Sequence, residues 1–142
     1  MIGVTVKAPD LTRYIKLVPT PADMRFLASE AIVKIKARTK SGVDADGRAF
    51  VPYSADYAKY RNEKGRQDSP VDLTFHGRMM GNMASQTISN GAEVFFRDSQ
   101  RGDIAARHNY GDGVPERRFF GLSESEFSNL VDRLVKRLRG KL

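Results

Sequence analysis

The sequence lacks cysteine and tryptophan, and it contains only two histidines in 142 residues. Without cysteine the chain can form no disulfide, no thiolate metal site and no cysteine nucleophile, and two histidines alone argue against a zinc site. No apolar run approaches the ~20 residues that cross a bilayer. The first residues also lack the basic flank, apolar stretch and cleavage site of a secretory signal, so we do not expect export by that route.

Basic residues outnumber acidic ones, 24 to 17, and give a formal net charge of +7. This balance favours polyanionic partners, because each phosphate neutralised by a basic side chain releases a condensed counterion. A net charge of magnitude ~2 to 8 is also ordinary for a small soluble domain. Hydrophobic residues make up 40% and charged residues 29% of the chain, which predicts one folded domain over 1–142.

Two segments carry the signals of long amphipathic helices. Thr20 and Pro21 form an N-cap followed by a proline at the first helical position, which predicts a helix over 20–39. Ser123 and Glu126 have the spacing of a capping box and precede an unbroken apolar stripe, which predicts a second helix over 123–139.

A β-hairpin is predicted over 86–97, because Asn90-Gly91 is a strong two-residue turn signal with both positions expected at positive φ. Alternation around Val4 and Val6 indicates a short first strand, and 117–121 also reads as extended. The predicted fold class is therefore α+β, with a small antiparallel sheet, made of the hairpin 86–97 plus short strands, packed against the two long helices.

The rest of the chain is predicted to hold short helices and long irregular loops. Helical spacing indicates short helices over 10–17, from Ser54 through Arg61, from Asp72 or Thr74 through Met83, and over 103–109. The loops at about 40–53 and 62–71 are rich in turn-forming and polar residues and are predicted to be mobile. Such long connections are unusual inside one domain, so we expect them to meet a neighbour.

No residue pattern indicates catalysis. His76 and His108 lie in no zinc-binding helix motif, and we interpret the first as packing beside a methionine face and the second as partly exposed. Asp46-Gly47 is read as a tight turn, because Gly42 stands where a calcium loop needs its first ligand. We therefore expect no catalytic, cofactor-binding or metal residue, and a small hydrolase or nuclease ranks below the non-enzymatic functions.

The second predicted helix carries a basic face, and a nonspecific nucleic-acid-binding domain is therefore one candidate function. The basic residues that could face DNA are Arg133, Lys136, Arg137, Arg139 and Lys141. The chain shows no zinc finger, no sheet-borne aromatic motif and no helix-turn-helix pair, so base reading is not indicated.

An ordered series of short motifs runs along most of the chain. It consists of a basic helix ending Arg38-Thr39, the turn Asp44-Ala45-Asp46-Gly47 leading to Phe50-Val51-Pro52-Tyr53-Ser54, then Leu73-Thr74 and Gly77-Arg78-Met79, and finally Ile104–Gly111 followed by Pro115–Ser123. Taken in this order, the series resembles the phage virion morphogenesis family, the tail-completion and head–tail joining proteins of tailed phages and prophages. Phe50 stands where the family tends to carry tryptophan.

The resemblance implies a non-enzymatic virion component that is assembled in the host bacterial cytoplasm. It implies a homo-oligomeric ring, six-fold in the family, that docks on other neck and tail proteins of the phage. Contact with phage DNA would be nonspecific, and no membrane partner or cofactor is implied. A ring is built from head-to-tail contacts, which long polar loops and a hairpin edge can supply.

We predict that the partner or subunit contact uses arginine and aromatic side chains, which dominate interface energetics. The residues predicted at this contact are Arg117, Arg118, Phe119, Phe120, Phe50 and Tyr53. In the alternative interpretation Phe119 and Phe120 lie on a strand and one ring belongs to the core. We do not expect both rings to lie in the core, because neighbouring strand residues point to opposite faces.

Overall fold

The computed structural model describes residues 2–8 and 19–140, which contain both helices and strands. The elements in these ranges are β1 (Gly3–Lys7), α1 (Pro21–Lys40), α2 (Ala55–Glu63), a 3₁₀ turn (Met80–Asn82), β2 (Met83–Ile88), β3 (Gly91–Phe96), α3 (Ser99–Tyr110) and α4 (Glu124–Arg139). This arrangement confirms the α+β class. The helix predicted over 10–17 lies outside the described residues.

The three strands form one antiparallel sheet in the order β1-β3-β2. The predicted hairpin is confirmed, although β2 begins at Met83 rather than at residue 86. Ile88 pairs with Gly91, so the turn residues are Ser89 and Asn90. The expectation that Gly91 shares the turn is wrong: it belongs to β3, and a Cβ there would collide with the carbonyl oxygen of Val6 on β1.

Both long helices begin at capping boxes. In α1 the Thr20 hydroxyl accepts a hydrogen bond from the Asp23 amide at 3.3 Å, and the Thr20 amide donates to the Asp23 carboxylate at 2.8 Å. In α4 the same reciprocal pair joins Ser123 and Glu126, at 3.1 and 2.9 Å. Each box satisfies amides that the first helical turn leaves unpaired, which is why both helix starts are readable from the sequence.

The core lies where α1 packs on the sheet and α4 packs on α1. Its fully buried apolar residues include Leu27, Ala28, Ala31 and Ile35 of α1, Ala92, Val94 and Phe96 of β3, and Leu130 and Leu134 of α4. The regular apolar spacing in these elements therefore corresponds to actual burial.

Two predicted elements do not form. The segment predicted as a helix from residue 72 or 74 to Met83 contains only the 3₁₀ turn, because Leu73 has φ +54° and Gly77 has φ +77°, both incompatible with an α-helix. The segment 117–121 is not a strand: the Phe119 amide donates to the Arg117 carbonyl at 2.8 Å, a local bond that a paired strand does not make. The sheet therefore consists of the hairpin and β1.

None of the helices in the described ranges combines the length and the apolarity that a bilayer span requires.

Candidate functional site

Arg38, near the end of α1, joins three chain segments through its guanidinium group. Its Nη1 donates to the Phe119 carbonyl at 3.2 Å, its Nη2 to the Gly121 carbonyl at 2.6 Å, and its Nε to the Glu126 carboxylate at 2.9 Å. The Arg38 and Glu126 side chains are only 10% and 18% exposed. A planar five-donor group suits this role, because it can satisfy two carbonyls and one carboxylate together.

The pKa of Glu126 reflects these contacts. Burial acts to raise it, but hydrogen bonds from the Ser123 amide and from Arg38, together with the charge of Arg38, outweigh burial and lower the pKa below its usual range. Glu126 is therefore held as a carboxylate that fixes both the start of α4 and the end of α1.

Arg117 fastens the segment before α4 to the loop after α1. Its Nε donates to the Val51 carbonyl at 2.7 Å and its Nη2 to the Pro52 carbonyl at 2.9 Å, and its guanidinium lies 5.1 Å from the centre of the Tyr53 ring. Only 4% of Arg117 is exposed. Arg117 therefore uses these donors on backbone carbonyls of its own chain, and a partner contact by Arg117 stays a prediction.

Three further contacts complete this connection. The Ala45 amide donates to the Arg118 carbonyl at 2.8 Å, and the Arg118 side chain pairs with Asp46. The buried Asn109 side chain accepts from the Phe120 amide at 2.9 Å. We call the hydrogen-bonded set Arg38, Ala45, Asp46, Asn109, Arg117, Arg118 and Glu126 the motif framework.

The aromatic rings predicted at a partner contact lie mostly in the core. Phe119 is 0%, Phe120 is 5% and Phe50 is 6% exposed, and Phe120 packs against Phe96 with ring centres 4.8 Å apart. These three rings are therefore buried within their own chain, and a partner contact by them stays a prediction. The strand argument fails, because 117–121 is irregular and lets neighbouring rings turn to the same side. Tyr53 is partly exposed and Arg118 exposed, so a contact by these two stays a prediction.

A cleft of about 590 Å³ opens beside the framework, between α2, α3 and the segment that precedes the 3₁₀ turn. Its lining includes Tyr53, Tyr57, Arg61, Leu73, Phe75, His76, Arg78, Met79, Arg101, Ile104, His108 and Arg117. Sequence spacing does not predict this group, since its members come from two helices and three loop segments with no common periodicity.

Arg61 is a buried arginine in the wall of the cleft, with 1% of its surface exposed. Its Nε donates to the Gln67 carbonyl at 2.6 Å, and its Nη2 donates to the Thr74 carbonyl at 2.9 Å and pairs with Asp72 at 3.2 Å. It therefore anchors the loop over 62–71, whose predicted mobility stays a prediction.

Tyr53 lies beside both buried guanidinium groups, with Arg61 at 4.7 Å and Arg117 at 5.1 Å from its ring centre. Its hydroxyl accepts a hydrogen bond from the Leu73 amide at 3.1 Å. Burial raises the pKa of Tyr53, although Arg61 opposes this, and burial lowers the pKa of Arg117. Tyr53 thus links the framework to the cleft.

The two histidines occupy different positions in the cleft. His76 is exposed and meets the Phe75 ring edge-on, with centres 4.7 Å apart, rather than packing beside a methionine face as predicted. His108 is half-buried, as expected for a partly exposed residue, and its Nδ1 is buried with no hydrogen-bond partner among the described residues. Burial, and secondarily the charge of Arg117, lower the pKa of His108.

This pKa shift predicts a loss of stability in mild acid. Below its ordinary pKa of ~6.5 the histidine of the unfolded chain takes up a proton, whereas folded His108 stays neutral until a lower pH, so acid favours unfolding. We expect the free energy of unfolding to fall between about pH 7.5 and pH 5.5, and the fall to be smaller in His108→Gln. Urea unfolding across this range measures it, with His76→Gln as the matched control. A slope unchanged in His108→Gln would contradict the assignment.

The basic face of α4 is partly neutralised by α1. Arg133 pairs with Glu30, and Arg137 pairs with Asp23 at 3.0 Å. Lys136 and Arg139 are exposed and make no ion pair within the described residues, and Lys141 lies outside them. Lys136 and Arg139 are thus the two predicted DNA-facing residues of α4 without an ion pair in the described ranges, and contact of the whole set with DNA stays a prediction.

No group of three or more histidine, cysteine, aspartate or glutamate side chains is placed to hold a metal ion in residues 2–8 and 19–140. No family model, curated protein or solved structure matches the chain. The motif framework and the cleft are thus the two features from which function can be argued.

Proposed function

We propose that this protein is a structural component of a tailed phage or prophage virion, acting in tail completion or head–tail joining. In this proposal it assembles into a ring and docks on neighbouring neck and tail proteins. The observation that carries the proposal is the motif framework: short motifs that lie up to 83 positions apart, as Arg38 and Gly121 do, meet in one hydrogen-bonded unit.

The framework supports a role through shape because its polar groups are committed to the fold. Arg38 and Arg117 bind carbonyl oxygens, Asn109 binds an amide, and Glu126 caps a helix. Catalytic groups need a nucleophile or base within reach of a substrate and oriented by a third group. The described framework residues instead hold three loops and two helix ends in fixed positions.

Surfaces suited to assembly remain around this framework. Both β1 and β2 are edge strands, so each has one side without a strand partner in the described sheet. Val33, Val51 and Tyr110 are 59%, 51% and 65% exposed. Separate edges and apolar side chains on one subunit are what head-to-tail contacts in a ring require.

The test is the assembly state of the purified protein. We expect light scattering coupled to gel filtration to show an oligomer that grows with concentration, and electron images to show rings. We also expect co-elution with the connector or tail-tube protein of the same phage. A protein that stays monomeric at high concentration and binds neither partner contradicts the proposal.

Nonspecific nucleic-acid binding is the second candidate, favoured by the exposed Lys136 and Arg139 on α4. Counterion release scales with the number of phosphates contacted, so two free cations support only a weak and salt-sensitive interaction. We therefore place tail completion first.

A further inference from the structure

The cleft between α2 and α3 is strongly cationic and has no counter-charge on its walls. Four arginines line it, and none of the described lining residues is acidic. Arg61 is neutralised by Asp72, whereas Arg78 and Arg101 make no ion pair among the described residues. An anionic occupant would remove this imbalance, and guanidinium groups bind carboxylates and phosphates in a bidentate manner.

The cleft is also apolar enough to hold a hydrophobic anchor. Leu73, Met79 and Ile104 line it, together with the rings of Tyr57 and Phe75. Its volume of about 590 Å³ falls within the ~300 to 1,000 Å³ of pockets that bury a ligand of a few side chains. An occupant that carries only charge would leave this apolar surface in contact with water.

The half-buried histidine adds a specific contact point. His108 lines the cleft, and its Nδ1 is buried without a hydrogen-bond partner in the described residues. Because Nδ1 has almost no exposed surface, His108 offers an occupant of the cleft its ring and not this atom.

The geometry of the rings disfavours nucleic acid as the occupant. Tyr57 and Tyr60 stack on each other at 6.1 Å, and Tyr60 and Phe75 at 5.8 Å with an angle of 13° between their planes. Binding of single strands uses aromatic faces that are free to stack on bases. Here Tyr60 stacks on both Tyr57 and Phe75, so part of each ring face is already covered by a neighbouring ring.

We propose that this cleft binds an extended segment of a neighbouring protein that carries a carboxylate next to a large apolar side chain. The identity of the neighbour as a virion protein rests on the proposed function, but the chemistry of the cleft does not. Arg101 and Arg78 hold the carboxylate, and the apolar lining together with the His108 ring receives the anchor.

The test uses four probes with the full-length protein: the blocked peptides acetyl-Gly-Asp-Phe-Gly-amide, its Asn-Phe and Asp-Ala analogues, and octathymidylate. Calorimetric titration measures affinity, and NMR of the histidine rings reports on His108. We expect the Asp-Phe peptide to bind and to shift the His108 signals. Each analogue should bind about tenfold more weakly, the scale of losing one charge-assisted hydrogen bond or one buried side chain.

Variants assign the binding to the cleft. Arg101→Gln should weaken the Asp-Phe peptide about tenfold. Arg97→Gln changes an exposed arginine outside the cleft and should leave the affinity unchanged. Thermal unfolding checks that each variant folds, and Arg78→Gln replaces Arg101→Gln if the latter does not. Equal affinity for the Asp and Asn peptides, unchanged affinity in the folded cleft variant, or preferential binding of octathymidylate would overturn the proposal.

The outcomes separate this inference from the proposed function. If the protein forms rings but does not bind the Asp-Phe peptide, the cleft assignment is wrong and the proposed function stands. If it binds the peptide at the cleft but neither forms rings nor binds neck and tail proteins, the proposed function is wrong and the cleft assignment stands.

Discussion

Replacing Arg38 with methionine is expected to lower the free energy of unfolding by about 3 kcal/mol. The substitution keeps most of the apolar stem but removes the donors to the Phe119 and Gly121 carbonyls and to the Glu126 carboxylate. The carboxylate would then be left mostly buried without its cationic partner, and such a loss costs far more than the net value of the pair. Equilibrium unfolding in urea, followed by circular dichroism, measures the change.

Arg118→Met is the matched control for this experiment. Arg118 also pairs with a carboxylate of the motif framework, Asp46, but the two side chains are 47% and 48% exposed. Exposed pairs contribute ~0 to 1 kcal/mol, so this variant should stay close to the wild-type protein. Adding Glu126→Gln to Arg38→Met should restore part of the lost stability, because the unpaired charge disappears. Equal losses in Arg38→Met and Arg118→Met would contradict the framework role of Arg38.

The parts of the fold that were predictable are those specified by local chemistry. The capping residues Thr20 and Ser123 mark both long helices to within one residue, because their hydrogen bonds are made within three positions of themselves. The hairpin around Asn90 was predictable for the same reason. The exact turn residues were not predictable. The placement of Gly91 in β3 depends on the close approach of Val6 of β1, which is distant in sequence.

The predicted helix before β2 failed because spacing alone cannot distinguish a helical face from an irregular buried segment. Met79, Met80 and Met83 are all buried, as a helical face would be, yet only a 3₁₀ turn forms there. Methionine adapts to irregular gaps in a core, so its recurrence carries little information on backbone conformation. Gly77 at positive φ was the signal against a helix.

The candidate site was the least predictable feature. Arginine and phenylalanine are typical of interfaces, but the same residue types also serve a core when a guanidinium finds backbone carbonyls. Arg117 meets the Val51 carbonyl from 66 positions away, and Arg61 meets the Thr74 carbonyl from 13 positions away. No local pattern encodes such partners, so neither the burial of these arginines nor the cleft beside them could be read from the sequence.

Phe119→Ala is expected to cost about 3 to 5 kcal/mol of stability, the range for removing a fully buried phenylalanine. Phe119 is 0% exposed, and its ring centre lies 6.4 Å from that of Phe96 and 6.0 Å from that of Phe120. Truncation leaves a cavity among these rings that a close-packed core fills only partly. Thermal and urea unfolding measure the loss, and gel filtration at low temperature measures self-association of the fraction that remains folded.

Tyr110→Ala is the surface control for Phe119→Ala, because Tyr110 is 65% exposed. Its loss should change stability by less than about 0.5 kcal/mol, as for most surface substitutions. If Phe119 belongs to the core, the folded fraction of Phe119→Ala should still associate like the wild-type protein, since none of its ring faces a partner. A Phe119→Ala protein of full stability that no longer associates would instead place this ring at the subunit contact that its sequence motif suggested.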